Sequence, residues 1–214
     1  MIENIYEHSV RTDILTPGGW VIDFGCGVDF NFSKKMVEMG MKVISVDPNP
    51  RITSTPNIDN LFYERMALVV DDTIESIDLD IFNDTDAAST IKTNNDIGFV
   101  SKQNTISVEA TTIKKLMDKY QIEKLDVLKL DIEGAEYSVL MSIDSEIANQ
   151  ISIEFHDFRG MNPNYPNNEL YYDQLKEKLG NMYSFVKHEK EQHRGIPGHL
   201  GLNYWDSLLV SKKF

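Results

Sequence analysis

Five acids, two glycines and a histidine carry most of the chemistry this sequence could do. Asp23-Phe24-Gly25-Cys26-Gly27 sets an acid two residues ahead of the first glycine, and Asp47 follows 22 positions after Gly25. Further along come Asp131-Ile132-Glu133-Gly134 and Glu154-Phe155-His156. An acid about 20 residues beyond a glycine turn is the spacing with which nucleotide folds hold the hydroxyls of a ribose. A pyrophosphate is a poor fit: the third glycine of the G-x-G-x-x-G fingerprint is replaced by Phe30, and no G-x-x-x-x-G-K-[ST] pattern occurs. A cationic nucleoside without phosphate suits an acidic rim better. S-adenosylmethionine has a ribose, an ammonium and a sulphonium, so Asp23, Asp47, Asp131 and Glu133 complement its charges.

On this reading Asp23, Phe24, Gly25, Cys26 and Gly27 form the turn against the cofactor, and Asp47 takes the ribose. Pro48, Asn49, Met66 and Ala67 are candidate walls for the adenine, Arg65 joins the cofactor residues at the same strand end, and Asp131 meets the methionine end. Each has a plainer use: the glycines as φ > 0 turn positions, Asp47 as a cap before Pro48, Asp131 and Glu133 as caps of the following helix. Lys129 would be costly to bury alone and is expected to pair with one of these acids. Glu133 is assigned to the acceptor side. His156 is assigned as general base, because a hydroxyl acceptor must lose a proton and an ordinary imidazole accepts one at neutral pH. A competing use of the same atoms is a divalent cation held by Asp131, Glu154 and His156. Tyr165, in the loop from Met161 to Asn168, offers a stacking surface, and the glycine-punctuated segment with His193, Arg194 and His199 reads as a connection able to close over an acceptor.

These groups act together only if strand ends converge. Trp20 to Phe24 is a short β-branched run ending at glycine, Phe32 to Met39 has helical spacing closed by Gly40, and Lys42 to Val46 is a second strand stopped by Pro48 and Pro50. That is a βαβ unit, whose parallel strands bring Gly25 and Asp47 to one edge. Leu61 to Val70 reads as a third strand and Asp71 to Ala110 as a β-hairpin insertion. Ala110 to Tyr120 is an amphipathic helix, with Ile113, Leu116, Met117 and Tyr120 on one face. Leu125 to Leu130 is a strand, Ala135 to Met141 a helix, Gln150 to Phe155 a strand that stops at His156. Glu169 to Leu179 is helical, and Tyr183 to Lys187 with Leu202 to Val210 form a closing strand pair. Alternating strands and helices predict a mainly parallel α/β sheet, with residues 1–19 as a polar N-terminal segment and 20–214 as a single domain.

Composition narrows the partners. In 214 residues, 41% hydrophobic side chains are enough for an ordinary core, and the formal net charge of −13 repels phosphate backbones and anionic headgroups. Nucleic acid and membrane surfaces are therefore not expected as partners. No apolar run reaches the roughly 18 residues needed to span a bilayer, and the single cysteine, Cys26, forms no internal disulfide. A soluble cytoplasmic protein is expected.

Asp23-Phe24-Gly25-Cys26-Gly27, Val46-Asp47-Pro48-Asn49-Pro50, Leu128-Lys129-Leu130-Asp131-Ile132-Glu133-Gly134-Ala135-Glu136 and Ile153-Glu154-Phe155-His156 resemble the blocks of the FkbM-type S-adenosylmethionine-dependent methyltransferases. The K-x-D-x-E-G-x-E block is the specific part of the resemblance, which runs from about Trp20 to Val210. It implies a Rossmann-like class I methyltransferase fold: a mainly parallel seven-stranded sheet with an antiparallel last strand and helices on both faces. It also implies methyl transfer to a hydroxyl of a glycan, carbohydrate or small molecule. Two rivals stay open: a nicotinamide-dependent oxidoreductase on the same fold, and a cofactor-binding protein without turnover.

Overall fold

Trp20–Phe24, Lys42–Val46 and Leu125–Leu130 are buried almost throughout, as strands covered on both faces must be. The computed structural model describes residues 1–82, 88–89, 102–157, 168–191 and 203–214. In chain order the first elements are β1 (Ile2–Ile5), β2 (His8–Arg11), β3 (Trp20–Phe24), α1 (Asn31–Glu38) and β4 (Lys42–Val46). Next come β5 (Leu61–Glu64), β6 (Ala67–Leu68), β7 (Ser76–Phe82), β8 (Ala88–Ser89) and β9 (Lys102–Thr111). The chain continues with α2 (Ile113–Lys119), β10 (Leu125–Leu130), α3 (Glu136–Met141), β11 (Ala148–Asp157), α4 (Asn168–Leu179), β12 (Tyr183–Glu191) and β13 (Asn203–Ser211).

Seven strands form the main sheet in the order β12-β13-β11-β10-β3-β4-β5. From β11 to β5 all neighbours are parallel, while β13 is antiparallel to both β11 and β12. This is the expected α/β sheet with one antiparallel strand. The chain starts in the middle at β3, builds outward through β4 to β5, and then returns to β10 on the other side of β3. Strand order therefore reverses between β3 and β10, the position at which open α/β sheets form a ligand crevice.

Three expected boundaries move. The run from Leu61 to Val70 is not one strand: the Met66 amide bonds back to the Glu64 carbonyl at 3.1 Å, so the chain leaves the sheet edge after β5. Ala67 and Leu68 then pair with β9 in a second, four-stranded sheet ordered β6-β9-β7-β8, whose β7–β9 pair is the predicted hairpin insertion. Ala110 and Thr111 belong to β9, and α2 begins only after Thr112, whose side chain accepts from the Lys115 amide at 3.2 Å. His156 is not beyond its strand, because β13 carries the pairing on through His156↔Tyr204 and Asp157↔Asn203. Tyr165, His193, Arg194 and His199 lie outside the described residues. Among those described, no helix is long and apolar enough to cross a membrane.

The alternation of side chains along each strand sorts the sheet into two faces. Ile22, Phe24, Ile44, Val46, Leu128, Leu130, Ile151, Ile153 and Phe155 join residues of α2, α3 and α4 in the larger core. Val21, Val43 and Val127 face the other way, against Phe32 and Met36 of α1 and Ile5 and Val10 of the N-terminal hairpin. Past those valines this second face turns polar. Asp23, Ser45, Lys129, Gln150, Ser152, Glu154, His156 and Asp206 are all buried there. The β1–β2 hairpin satisfies several of them. The Gln150 side chain accepts from the Arg11 amide at 2.7 Å and donates to the Arg11 carbonyl at 3.1 Å. Asp206 accepts from Ser9 Oγ at 2.6 Å and from Lys187 Nζ at 2.5 Å. Residues 1–19 thus hold a hairpin docked on the sheet.

Removing a buried carboxylate strands its donors. Asp206→Ala is expected to lower unfolding free energy by about 3 kcal/mol, measured by urea denaturation, with Lys187→Met in the same background recovering part of the loss.

Candidate active site

The crevice at the β3/β10 switch is held together from below by one buried cation. Lys129 Nζ donates to the Gly25 carbonyl at 2.6 Å and lies 3.0 Å from Asp23 Oδ1 and 3.3 Å from Asp131 Oδ2. Burial alone would lower its pKa, but Asp23 and Asp131 hold it above the ordinary lysine value. The other Asp23 oxygen accepts from Ser33 Oγ at 2.5 Å, and Ser33 bonds Ser45 at 2.7 Å. Asp23 is therefore not where the sequence reading puts it. Its alternation in β3 turns it toward α1, under the glycine turn, and it is fully buried there.

Above this floor lies an open cleft of about 220 Å³. Of the predicted cofactor residues, Phe24, Gly25, Gly27, Asp47, Pro48, Met66, Ala67 and Asp131 line it, together with Glu133. Cys26, Asn49 and Arg65 do not. Cys26 packs with Phe30 and Ile52 beneath the turn, Arg65 donates to the Asn49 and Ile52 carbonyls, and the Asn49 side chain accepts from the Arg51 amide at 2.9 Å. They shape the loop after β4 from behind. Val46, Leu68, Leu79, Ile132 and Ala135 also line the cleft without having been predicted. Leu79 comes from the hairpin insertion, where alternating apolar residues were the available signal.

Gly25 has φ +76°, and a Cβ on it would sit 1.7 Å from the Asp131 carbonyl oxygen. Glycine alone lets the turn close onto the end of β10. The Gly27 amide then donates to Asp47 Oδ2 at 3.0 Å, while the Asn49 amide donates to Oδ1 at 2.9 Å. Burial pushes the Asp47 pKa up, and these two amides oppose the shift. Each oxygen keeps a further acceptor site, so the side chain is oriented and still able to receive two hydroxyls.

Across the cleft, the K-x-D-x-E-G-x-E block arranges its acids differently from one another. Glu136, fully buried, accepts through Oε1 from the Ile132 amide at 3.0 Å, the Gly134 amide at 3.1 Å and His156 Nδ1 at 2.9 Å. Binding those amides is the plainer role open to Asp131 and Glu133. Glu136 fills it from the first turn of α3, which leaves both other acids on the cleft. His156 Nε2 faces Asp131 Oδ1 at 3.6 Å, Glu133 Oε2 at 3.8 Å and Glu154 Oε1 at 3.9 Å. Burial would lower the His156 pKa, but Glu133, Glu136 and Asp131 raise it well above the ordinary value. A raised proton affinity suits the ring to hold a proton more than to take one, so the base role expected for His156 gains no support from its surroundings. Burial pushes the Glu133 carboxyl up to about 7, against the pull of His156, and Asp131 and Glu136 add to the rise. Burial would raise Asp131 too, but Lys129, His8 and His156 hold it below the usual carboxylate range.

His8 is the participant that sequence reasoning missed. Its Nε2 lies 3.5 Å from Asp131 Oδ2 although 123 residues separate them. No local pattern marked it; the docking of the hairpin brings it in.

The family model described as the methyltransferase FkbM domain matches residues 23–192. No curated protein matches the sequence. The fibrillarin pre-rRNA processing protein of Methanococcus jannaschii superimposes with a TM-score of 0.50 at 10% identity, over 95% of this chain and 70% of its own. A candidate hemolysin of Streptococcus thermophilus gives 0.49 at 10% identity over 92% of this chain and 62% of its own. TrmK of M. capricolum, solved with S-adenosyl-homocysteine, gives 0.47 at 9% identity over 95% of this chain and 66% of its own. The chain thus spans just under two thirds of the last two proteins, and the fibrillarin match is a likeness of fold.

Gly18 and Gly25 share nearly the same positive φ, but a Cβ on Gly18 meets nothing within 4 Å. Gly18→Ala should therefore cost only the backbone penalty, about 1 kcal/mol. Gly25→Ala must also push the turn off β10, and a loss at least twice as large is expected when both are compared by thermal and urea unfolding.

Proposed function

The chain belongs to the methyltransferase FkbM family, and from that premise we propose that it transfers the methyl group of S-adenosylmethionine to a hydroxyl of a small-molecule or carbohydrate acceptor. The observation that carries the reading is Asp47, held by the Gly27 and Asn49 amides with acceptor capacity turned into the cleft. Such a carboxylate suits the two hydroxyls of the cofactor's ribose. Phe24, Val46, Pro48, Met66, Ala67 and Leu68 supply apolar wall for the adenine, and the Asp131 carboxylate suits the cationic methionine end. Phe30, at the position of the missing third glycine, is buried and packs edge-on against Tyr63, which argues against the close helix approach that a dinucleotide site needs.

In the transfer, the acceptor oxygen attacks the methyl carbon in line with the sulphonium. The carbon–sulphur bond breaks with its electron pair going to sulphur, which leaves S-adenosylhomocysteine. Most of the acceleration comes from holding the two atoms in that line. The hydroxyl proton must also leave. Glu133, on the cleft wall beside His156, takes it, and this moves the base role from His156 to its neighbour. The fibrillarin likeness raises an RNA acceptor as an alternative, but the net charge of −13 favours a non-polyanionic one.

Isothermal titration should show S-adenosylhomocysteine binding to the wild type, and Asp47→Ala should weaken it at least tenfold, roughly 1.4 kcal/mol. Heat with NADH and none with the adenosyl compound would overturn the assignment. With labelled cofactor and a panel of hydroxylated acceptors, Glu133→Gln should lower turnover by about 10²-fold or more while leaving S-adenosylhomocysteine affinity within a factor of a few; unchanged turnover would remove Glu133 as base.

A further inference from the structure

We propose that the acceptor end of the cleft is a divalent-cation site built from His8, Asp131, Glu154 and His156. The orientation of His156 is the first ground. Its Nδ1 lies 2.9 Å from Glu136 Oε1, an oxygen already fixed by the Ile132 and Gly134 amides. A carboxylate there accepts the Nδ1 hydrogen, so an ion arriving at Nε2 need displace only the proton on that nitrogen to meet its lone pair. Imidazoles that bind metals are held in this way, with the second nitrogen donating to a carboxylate that sets the tautomer and the ring plane.

The second ground is what Nε2 faces. Asp131 Oδ1 is 3.6 Å away and Glu154 Oε1 is 3.9 Å away. Two donors bonded at about 2.1 Å to one ion lie about 3 Å apart at right angles and about 4.2 Å apart when opposed. The observed separations fall between those limits, too long for hydrogen bonds and right for donors sharing an ion.

The third ground is His8, which is 4% exposed. Among the described residues its buried Nδ1 has no hydrogen-bond partner, and its Nε2 points at Asp131 Oδ2 from 3.5 Å. Donor atoms of His8, Asp131 and Glu154 all lie within 4.8 Å of one another, as do those of Asp131, Glu133 and His156. Asp131 is common to both groups. Docking the N-terminal hairpin delivers Nε2 of this buried imidazole to the carboxylates at a separation that an ion between them would fill.

Two imidazoles with two carboxylates suit a first-row divalent ion such as Mn²⁺ or Zn²⁺ better than Mg²⁺ or Ca²⁺, which favour all-oxygen sets. Asp131 borders the cleft, so an ion on it has an open side toward the acceptor. There it would bind the acceptor hydroxyl and acidify it, with the proton passing to Glu133 and no change in the ion's oxidation state. That use rests on the methyl-transfer reading; binding of the ion does not.

The full chain, freed of metal by EDTA and buffer exchange, is titrated with Mn²⁺ while the electron paramagnetic resonance of the free ion is followed. One equivalent should vanish from the free-ion signal. His8→Gln and Glu154→Gln should each weaken binding at least tenfold. Glu136→Gln, which acts through His156, should weaken it by about 10–100-fold, and Asp118→Asn, exposed on α2, should change nothing. S-adenosylhomocysteine titration of the same samples reports that each variant is folded. A wild-type free-ion signal undiminished at one equivalent overturns the site, as does binding that survives in both folded His8→Gln and Glu154→Gln. Manganese binding without S-adenosylhomocysteine binding leaves the site standing and defeats the methyl-transfer reading; the reverse result defeats the site alone.

Discussion

Lys129 is 2% exposed, in the middle of a strand, and its ammonium is surrounded by the Gly25 carbonyl and the carboxylates of Asp23 and Asp131. A charge in that position is tolerated only because all three oxygens are present, since an unpaired buried ion costs several kcal/mol. The consequence is geometric. The same ammonium that needs those oxygens ties the end of β3, the glycine turn and the end of β10 to one point. Gly25 permits the approach because it has no Cβ to meet the Asp131 carbonyl. Once the turn is seated, the Gly27 amide is in place to orient Asp47, so the side of the cleft bearing β4 inherits its order from an ion pair on β10.

The second constraint is the polar underside of the sheet. In an α/β sheet a strand face is expected to meet a helix, and on one side α2, α3 and α4 do meet apolar residues. On the other side the strand ends carry Gln150, Glu154, His156 and Asp206, which no apolar helix could cover without stranding their hydrogen-bonding groups. The N-terminal hairpin covers part of that area with backbone and hydroxyl partners. This explains why a segment with little apolar character is ordered against the sheet, and why it carries a buried histidine to the acidic end of the cleft.

The proposed function rests on the asymmetry between the two ends. The end bearing Asp47 is neutralised by backbone amides and walled by apolar side chains, conditions for recognising a neutral sugar and a flat ring. The end bearing Asp131, Glu133, Glu154 and His156 is dense in ionisable groups, among which the Asp131 carboxyl is pulled down while Glu133 and His156 are pushed up. Groups so displaced are suited to holding cations and moving protons. Binding at one end and chemistry at the other is the division on which the proposed methyl transfer rests.

Continuous apolar runs, the Gly25 turn, the prolines after Asp47 and the K-x-D-x-E-G-x-E block were legible in the sequence, because each acts over a few residues. Strand periodicity, turn chemistry and helix entry are local properties. From them came the sheet, the hairpin insertion, and the cleft positions of Asp47, Asp131 and Glu133. Which acid faces the ligand was not legible. Asp23 and Phe24 are neighbours, yet alternation in β3 sends one beneath the turn and the other into the cleft, and only the packing of α1 decides which face is the floor. Glu136 took the amide-binding role because α3 begins where it does. His156 remains in its strand because β13, nearly 50 residues later in the chain, extends the pairing past it. His8 reaches Asp131 through a hairpin at the far end of the sequence. Such long-range placements depend on how whole elements dock, and docking is set by the summed burial of many side chains, a quantity that no short stretch of sequence contains.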